Sequence, residues 1–285
     1  MKLALPQFQF RFMRAAGNVI FPGNFHPVGT QRDAEQMIDR ALSGRAGGAK
    51  PAPERGKGGL WLVVGGSGGF GSAARIALAI DHGAHTINFS YDAPPNPESS
   101  NKIRKIGSPA WHRNAAIERR LRAMGLEAFS HNADAFDPAA RTALIEDLRA
   151  RMPGRKLAGI VWALAAPRGL DPRTGKVVSS SLKPLGKTSV IKTFAGPEGD
   201  EPPRIFELEV KPGTPEEAIA TQWVMGGRVV EEWINAMLAA DMLDLGFTLL
   251  TISYRGGPLN APLYRDGLIG LAKADLEFTT AALSQ

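Results

Sequence analysis

The sequence predicts an α/β protein, a Rossmann-type doubly wound parallel sheet with an inserted substrate-covering hairpin and helical region. Three observations point there. Short apolar runs that read as buried strands alternate with amphipathic stretches from Leu60 to Leu164, the rhythm of a parallel sheet covered by helices. A glycine cluster, Gly65-Gly66-Ser67-Gly68-Gly69-Phe70-Gly71, falls between the first strand and the first helix. An acidic residue, Asp92, closes the second strand 21 residues after Gly71, near the spacing at which a carboxylate meets an adenosine ribose.

Residues 1–58 read as an amino-terminal arm and flexible linker, because the stretch 41–59 is rich in Gly, Pro and Ala. The dinucleotide-binding domain then occupies 59–285, with an insertion at about 167–245. Its expected elements are a strand Leu60 to Val64, a helix Phe70 to Ile80, a strand Thr86 to Ser90 and a helix Trp111 to Ala123. A short strand Glu127 to Ser130, a helix Ala139 to Arg151 and a buried strand Leu157 to Leu164 follow. From Pro167 to Pro212 the pattern breaks into short segments with turn residues such as Asp171-Pro172-Arg173-Thr174-Gly175, expected to form a hairpin or long loop that covers substrate. Thr214-Pro215-Glu216-Glu217 starts a helix with an N-cap, a proline at the first position and a capping box. The Trp223, Met225, Trp233, Met237 and Leu238 stripe reads as core. A strand Thr248 to Ser253 and a helical stretch Tyr264 to Leu283 complete the chain.

Composition narrows the chemistry. With 285 residues, 44% of them hydrophobic, the chain can bury a substantial core. It has no cysteine, which excludes disulfides, thiolate metal sites, iron–sulfur clusters and a cysteine nucleophile. Met1 to Gly17 is interrupted by Gln7, Gln9 and Arg11 and matches a signal peptide poorly, so cytoplasmic location is expected. Asp241 and Asp244 break the longest apolar candidate, Met237 to Ile252, so no membrane span is expected. The net charge of +6 arises largely in the amino-terminal stretch and in Lys102 to Arg122. No nucleic-acid module accompanies those charges, and a solvated helix face explains them as well as a phosphate-bearing partner.

Glycines at 65, 69 and 71 follow the spacing Gly-x3-Gly-x-Gly. They allow a sharp turn and a close approach to a pyrophosphate, which the free N–H groups of a helix start attract. Asp92 would accept hydrogen bonds from both ribose hydroxyls and repel a 2′-phosphate, favouring NADH over NADPH. The alternative is a turn residue before Ala93-Pro94-Pro95, with Arg104 or Lys105 folding back on a phosphate. Tyr254 and Tyr264 are two of only three tyrosines, and Lys273 lies nine residues beyond the second. That separation is about two and a half helical turns. The pair can therefore meet only if Tyr264 precedes the regular helix; otherwise they are a surface tyrosine and a solvated lysine.

Ordered blocks along the chain resemble the trans-2-enoyl-CoA and enoyl-acyl-carrier-protein reductases of the FabV type. They are His26-Pro27-Val28-Gly29, the glycine cluster followed by Ala74-Arg75-Ile76, Trp111, Asp134-Ala135-Phe136 and Leu164-Ala165-Ala166-Pro167-Arg168. Pro172-x-Thr174-Gly175, Ser181-Leu182-Lys183-Pro184, Val224-Met225-Gly226-Gly227 and the Tyr-x8-Lys from Tyr264 to Lys273 complete the set. The resemblance implies hydride transfer from NADH to the β-carbon of an enoyl thioester carried on coenzyme A or acyl carrier protein. It implies that Tyr264 stabilises or protonates the enolate, that Lys273 orients cofactor and tunes Tyr264, and that Tyr254 is a second active-site hydroxyl. Gly65, Ser67, Gly69, Phe70 and Gly71 would hold the dinucleotide, Asp134 and Ala135 its adenine, and Leu164, Ala165 and Ala166 would line its path. Asp92 stands where the family usually has glutamate.

The chain departs from the family pattern in three places. The loop Ala93 to Ala110 is longer and more basic, His112 replaces a tyrosine, and the sequence stops at Gln285 where relatives continue with a further strand and loop. A homodimer or a completing partner chain is therefore expected. The alternatives are a short-chain carbonyl or 3-oxoacyl reductase, and a catalytically silent dinucleotide-binding protein or subunit.

Overall fold

The computed structural model describes residues 10–15, 19–24, 26–46, 53–195 and 204–284. The sequence readings on Met1 to Gln9 and on the middle of the linker, 47–52, lie outside them. Five strands form one wholly parallel sheet. To number the elements in chain order, β1 (Phe10–Ala15) and β2 (Val19–Asn24) pair as an antiparallel hairpin ahead of helix α1 (Pro27–Ala46). Then come β3 (Leu60–Val64), α2 (Gly69–His82), β4 (His85–Ser90), the short α3 (Lys102–Ile106), α4 (Pro109–Ala123), β5 (Ala128–Asn132), α5 (Pro138–Arg151) and β6 (Leu157–Trp162). The insertion holds two antiparallel hairpins, β7 (Arg168–Asp171) with β8 (Lys176–Ser179) and β9 (Ser189–Ala195) with β10 (Arg204–Val210). Helices α6 (Pro215–Met225) and α7 (Arg228–Ala239), strand β11 (Leu243–Thr251) and helix α8 (Leu268–Ala282) follow.

Across the sheet the order is β5-β4-β3-β6-β11, so the chain winds one way from β3 to β5 and the other way from β3 to β11. This is the predicted doubly wound arrangement, and its switch point lies between β3 and β6. Alternation along β3 assigns the two faces. Leu60, Leu62 and Val64 enter the core with Leu144, Leu148, Trp233 and Met237, beneath α5 and α7. Val63 instead meets Leu78 of α2 and Val161.

The helix ends follow local chemistry. Ser108 accepts from the Trp111 N–H at 3.2 Å with Pro109 next in line, and Asp137 accepts from Ala139 N–H at 2.9 Å before α5. Thr214 and Glu217 form the capping box expected from sequence. Gly83, at φ 64°, ends α2 in the left-handed conformation that favours glycine.

Three elements differ from the sequence reading. Residues 27–46 of the stretch read as an arm form a helix whose Ala34 and Ile38 are fully buried against Ile76, Ile80, Ile117 and Leu121 of α2 and α4. Ion pairs complete that contact, with Arg119 on Glu35 at 2.6 Å, Arg120 on Asp39 at 2.5 Å and Arg113 on Asp33 at 3.9 Å. The basic face of α4 is therefore matched to acids on α1 as well as to solvent. Strand β11 begins at Leu243, ahead of Thr248, because Leu243 already pairs with Leu157 across an irregular register. Helix α8 begins at Leu268, since residues 258–266 form turns that end where Gly267 bridges to Pro184. Of the Trp and Met stripe, Trp233 and Met237 are core, whereas Leu238 is 64% exposed.

Two outcomes follow from this packing. Trp233 is fully buried, meets Phe89 and Trp162 edge-on and donates its indole N–H to the Ala135 carbonyl at 2.9 Å. Trp233→Ala should cost about 3–5 kcal/mol in urea unfolding. His85 is buried and its Nδ1 accepts from the Glu127 N–H at 2.9 Å, which requires a neutral ring; burial holds its pKa below the ordinary value of 6.5. The unfolded chain then binds more protons below about pH 6.5, so this contribution is complete above that pH and lost as the pH falls. The urea midpoint should drop between about pH 7.5 and pH 5.5, and His85→Gln should show a smaller drop.

Candidate functional site

A cleft of about 580 Å³ opens at the carboxyl end of the parallel sheet, where a doubly wound fold places its ligand. Gly65, Ser67, Asp92, Asp134, Ala135, Leu164, Ala165 and Ala166, all singled out from sequence, line it together. They come from the ends of β3, β4, β5 and β6, which the parallel register brings to one rim.

The turn from β3 into α2 is built on glycine. Gly65 has φ 84°, and a Cβ there would lie 2.8 Å from the Ala163 carbonyl carbon, inside contact distance. A Cβ on Gly71 would overlap the Gly65 carbonyl oxygen. Helix α2 can thus start directly behind the strand end. Its N-cap, Gly68, has no side chain to bond the first N–H groups, which leaves them as donors toward an anion. Arg113 steadies the loop from α4 by donating to the Ser67 carbonyl at 3.0 Å. Gly69 and Phe70 are not part of the cleft lining, and the Phe70 side chain is 67% exposed.

Asp92 is a buried carboxylate on the rim, which goes beyond a turn residue. Its backbone is held both ways by Asn132, whose Oδ1 accepts the Asp92 N–H at 2.7 Å and whose Nδ2 donates to the Asp92 carbonyl at 2.8 Å. Its Oδ2 accepts from Ser90 Oγ at 2.6 Å and from Asn114 Nδ2 at 2.9 Å. Burial pushes its pKa up, while the hydroxyls of Ser90 and Ser67, the Arg113 charge and the Asn114 amide pull it back. Asp134 spends Oδ1 on the Phe136 N–H at 3.0 Å and so shapes the turn after β5.

The tyrosines form a separate cluster at the carboxyl end of β11. Tyr254 and Tyr264 meet edge to face with centroids 5.3 Å apart, and Asn260 Nδ2 donates to the Tyr254 hydroxyl at 3.4 Å. Tyr264 precedes α8, as pairing with Lys273 requires. Yet no hydrogen bond joins the two. Lys273 is buried, with its Nζ donating to the Met225 carbonyl at 3.4 Å at the α6–α7 junction, and burial lowers its pKa. Neither tyrosine nor Lys273 lines the cleft. His112 is bonded to the Ile106 carbonyl through Nε2 at 2.5 Å.

The sequence reading gave Phe136 no role and did not single out Tyr91, Gly169, Leu170 or Val177, all of which line the cleft. The last three come from the β7–β8 hairpin, anticipated as a cover without residue detail. A Cβ on Gly169 would lie 2.6 Å from the Phe136 ring, which explains glycine at that position in the hairpin. Among the described residues no group of His, Asp and Glu is placed to hold a metal, and no helix is long and apolar enough to cross a membrane.

Known proteins share this arrangement. Residues 105–285 match the trans-2-enoyl-CoA reductase catalytic region, and residues 14–97 match the NAD(P)H binding domain of trans-2-enoyl-CoA reductase. The trans-2-enoyl-CoA reductase [NADH] of Treponema denticola is 36% identical over 266 residues, 92% of this chain and 62% of that protein. The enoyl-[acyl-carrier-protein] reductase [NADH] of Pseudoalteromonas atlantica is 32% identical over 260 residues, 91% and 61% respectively. The crystal structure of Clostridium acetobutulicum trans-2-enoyl-CoA reductase in complex with NADH superposes with a TM-score of 0.78 at 31% identity, covering 96% of this chain and 63% of that one. The Treponema denticola reductase in complex with NAD gives 0.78 at 32%, covering 96% and 65%. The chain thus spans about 61% of the length of the Pseudoalteromonas relative. Gly71→Ala should lower the thermal midpoint by several degrees, about 1–3 kcal/mol for the overlap; an unchanged midpoint would mean that the turn relaxes without cost.

Proposed function

We infer function from one premise: the chain belongs to the trans-2-enoyl-CoA reductase family. We propose that it reduces a trans-2-enoyl thioester, on coenzyme A or acyl carrier protein, to the saturated acyl thioester with NADH as reductant. The observation that carries the reading is the cleft at the β3–β6 switch point, with a glycine turn on one side and the Asp92 carboxylate on the other. The residues present fit a dinucleotide. Positions 65 and 71 admit no Cβ, which keeps the turn tight against the strand end, and the uncapped start of α2 leaves its N–H groups as donors for a pyrophosphate. Asp92 would accept from the adenosine ribose hydroxyls and disfavour a 2′-phosphate.

NADH, when bound, supplies the hydride. The chain's own part in the reaction is to hold and move charge at the thioester. Hydride addition at the β-carbon leaves negative charge on the thioester oxygen, and a phenol donating to that oxygen stabilises it. Tyr264 is assigned this role, with Tyr254 packed edge-on against it as the second hydroxyl. Lys273 would orient cofactor from beneath, its desolvated ammonium held at the α6–α7 junction. The β7–β8 hairpin would cover the substrate end of the cleft and exclude water. A homodimer or a completing second chain belongs to this reading on one support, the outer edge of β11, which no strand pairs among the described residues.

A second reading, nucleotide binding without turnover, is favoured by the Lys273 ammonium, which donates to the Met225 carbonyl and makes no hydrogen bond to Tyr264. Following NADH absorbance with crotonyl-CoA separates the two. Turnover should appear with the full chain and fall roughly 100- to 10,000-fold in Tyr264→Phe, with NADH affinity kept. NADH binding without turnover in the unaltered chain would sink the stand-alone reductase and leave the binding protein.

A further inference from the structure

Behind Asp92 lies a closed ring of buried and half-buried polar groups that the reaction does not use. Arg75 of α2 has no exposed surface, and its burial pushes its pKa down to about 10, so it stays charged at neutral pH. It donates from Nε to Thr86 Oγ1 at 3.3 Å, from Nη2 to the Phe129 carbonyl at 3.4 Å and from Nη1 to Asn114 Oδ1 at 3.4 Å. Glu118 stands 3.9 Å from its Nη2. A fully buried cation in a nucleotide-binding sheet is costly unless its bonds accomplish something.

The direction of those bonds is fixed by chemistry. A guanidinium only donates, so Asn114 must turn its oxygen to Arg75 and its amide N–H to Asp92. Asn88 donates from Nδ2 to both Ser90 Oγ, at 2.8 Å, and Ser130 Oγ, at 3.1 Å. Each serine therefore has its one proton left for a carboxylate: Ser90 gives it to Asp92 at 2.6 Å, Ser130 to Glu118 at 2.5 Å. Donors converge on Oδ2 of Asp92. Oδ1 takes none of these bonds, and the residue borders the cleft beside Ser67.

We propose that Asn114, oriented by Arg75, is a positioning residue for cofactor choice: it holds one oxygen of the Asp92 carboxylate turned inward, and so sets the discrimination between a free 2′-hydroxyl and a 2′-phosphate. The proposal rests on the NADH reading above. The charged group that acts directly on Asp92 is Arg113 of α4, while Arg75 of α2 and Glu118 of α4 pair with each other behind Asn114, and Asp134 lines the same cleft. Only Asn114 both touches the carboxylate and is set by the buried cation.

The test is fluorescence titration of the full chain with NADH and NADPH, from about pH 8.5 down to the pH at which the NADH/NADPH ratio of the unaltered chain has declined by half, in Asn114→Leu, in the smaller Asn114→Ser and in Asp92→Asn, with folding checked by circular dichroism. Losing a hydrogen bond to a charged group should narrow the NADH/NADPH affinity ratio about tenfold. Loss of the donor also raises the Asp92 pKa, so the pH below which the ratio declines should move upward in both Asn114 variants. Folded variants that keep the wild-type ratio, or that narrow it with no shift of its pH midpoint, overturn the proposal. Should the unaltered chain show no NADH preference, or Asp92→Asn keep it, the cofactor reading itself fails, and that outcome is distinct because it does not involve Asn114.

Discussion

The site depends on a steric constraint at the first strand end. Strand β3 must become helix α2 in so few residues that Gly71 rests against the Gly65 carbonyl, and neither position has room for a side chain. That contact places the start of α2 over the point where the sheet changes winding direction. Every other strand of the sheet runs parallel to β3, so their ends reach the same rim. The positions of Asp92, Asp134 and Leu164 around the cleft follow from that register.

The two sides of the sheet are held by different physics. Under α5 and α7 the packing is apolar and aromatic, with Trp233 edge-on to both Phe89 and Trp162. Between β4, β5, α2 and α4 a cation and two carboxylates are buried or half-buried, and every connection of the Arg75–Asn114–Asp92 chain is a directed hydrogen bond. Such a network adds little net stability compared with well-packed apolar groups of the same volume, but it fixes orientation. Outside it, α1 is attached by a narrow apolar stripe and the Arg119 and Arg120 ion pairs. Exposed pairs of that kind contribute about 0–1 kcal/mol each, so Ala34 and Ile38 hold the helix and the charges set its register.

Much of this could be read from sequence because it is local. The strand and helix rhythm from Leu60 to Trp162, the glycine turn, the Thr214 capping box and the acid at position 92 all announce themselves within a few residues. Helix α1 did not, since its buried stripe is narrow and its ion partners on α4 stand some eighty residues away. The start of β11 was hidden by Asp244 and Gly246, which interrupt an apolar run whose pairing begins at Leu243. The Tyr264–Lys273 spacing asked for Tyr264 outside the helix, where it lies, but sequence could not say that the ammonium would settle on the Met225 carbonyl. The ring behind Asp92 joins residues from four elements, so only its parts were visible. An arginine among the buried positions of α2, beside Ile76 and Ala79, was the available signal.

The central claim is that the β3–β6 cleft holds the cofactor with Asp92 at its adenosine end. A crystal structure of this chain grown with NADH tests that most directly. The account predicts pyrophosphate against residues 65–71 and the ribose hydroxyls on the cleft-facing oxygen of Asp92, whose other oxygen keeps its bonds to Ser90 and Asn114. Nucleotide bound elsewhere, or an Asp92 side chain turned away from the ribose, would contradict it.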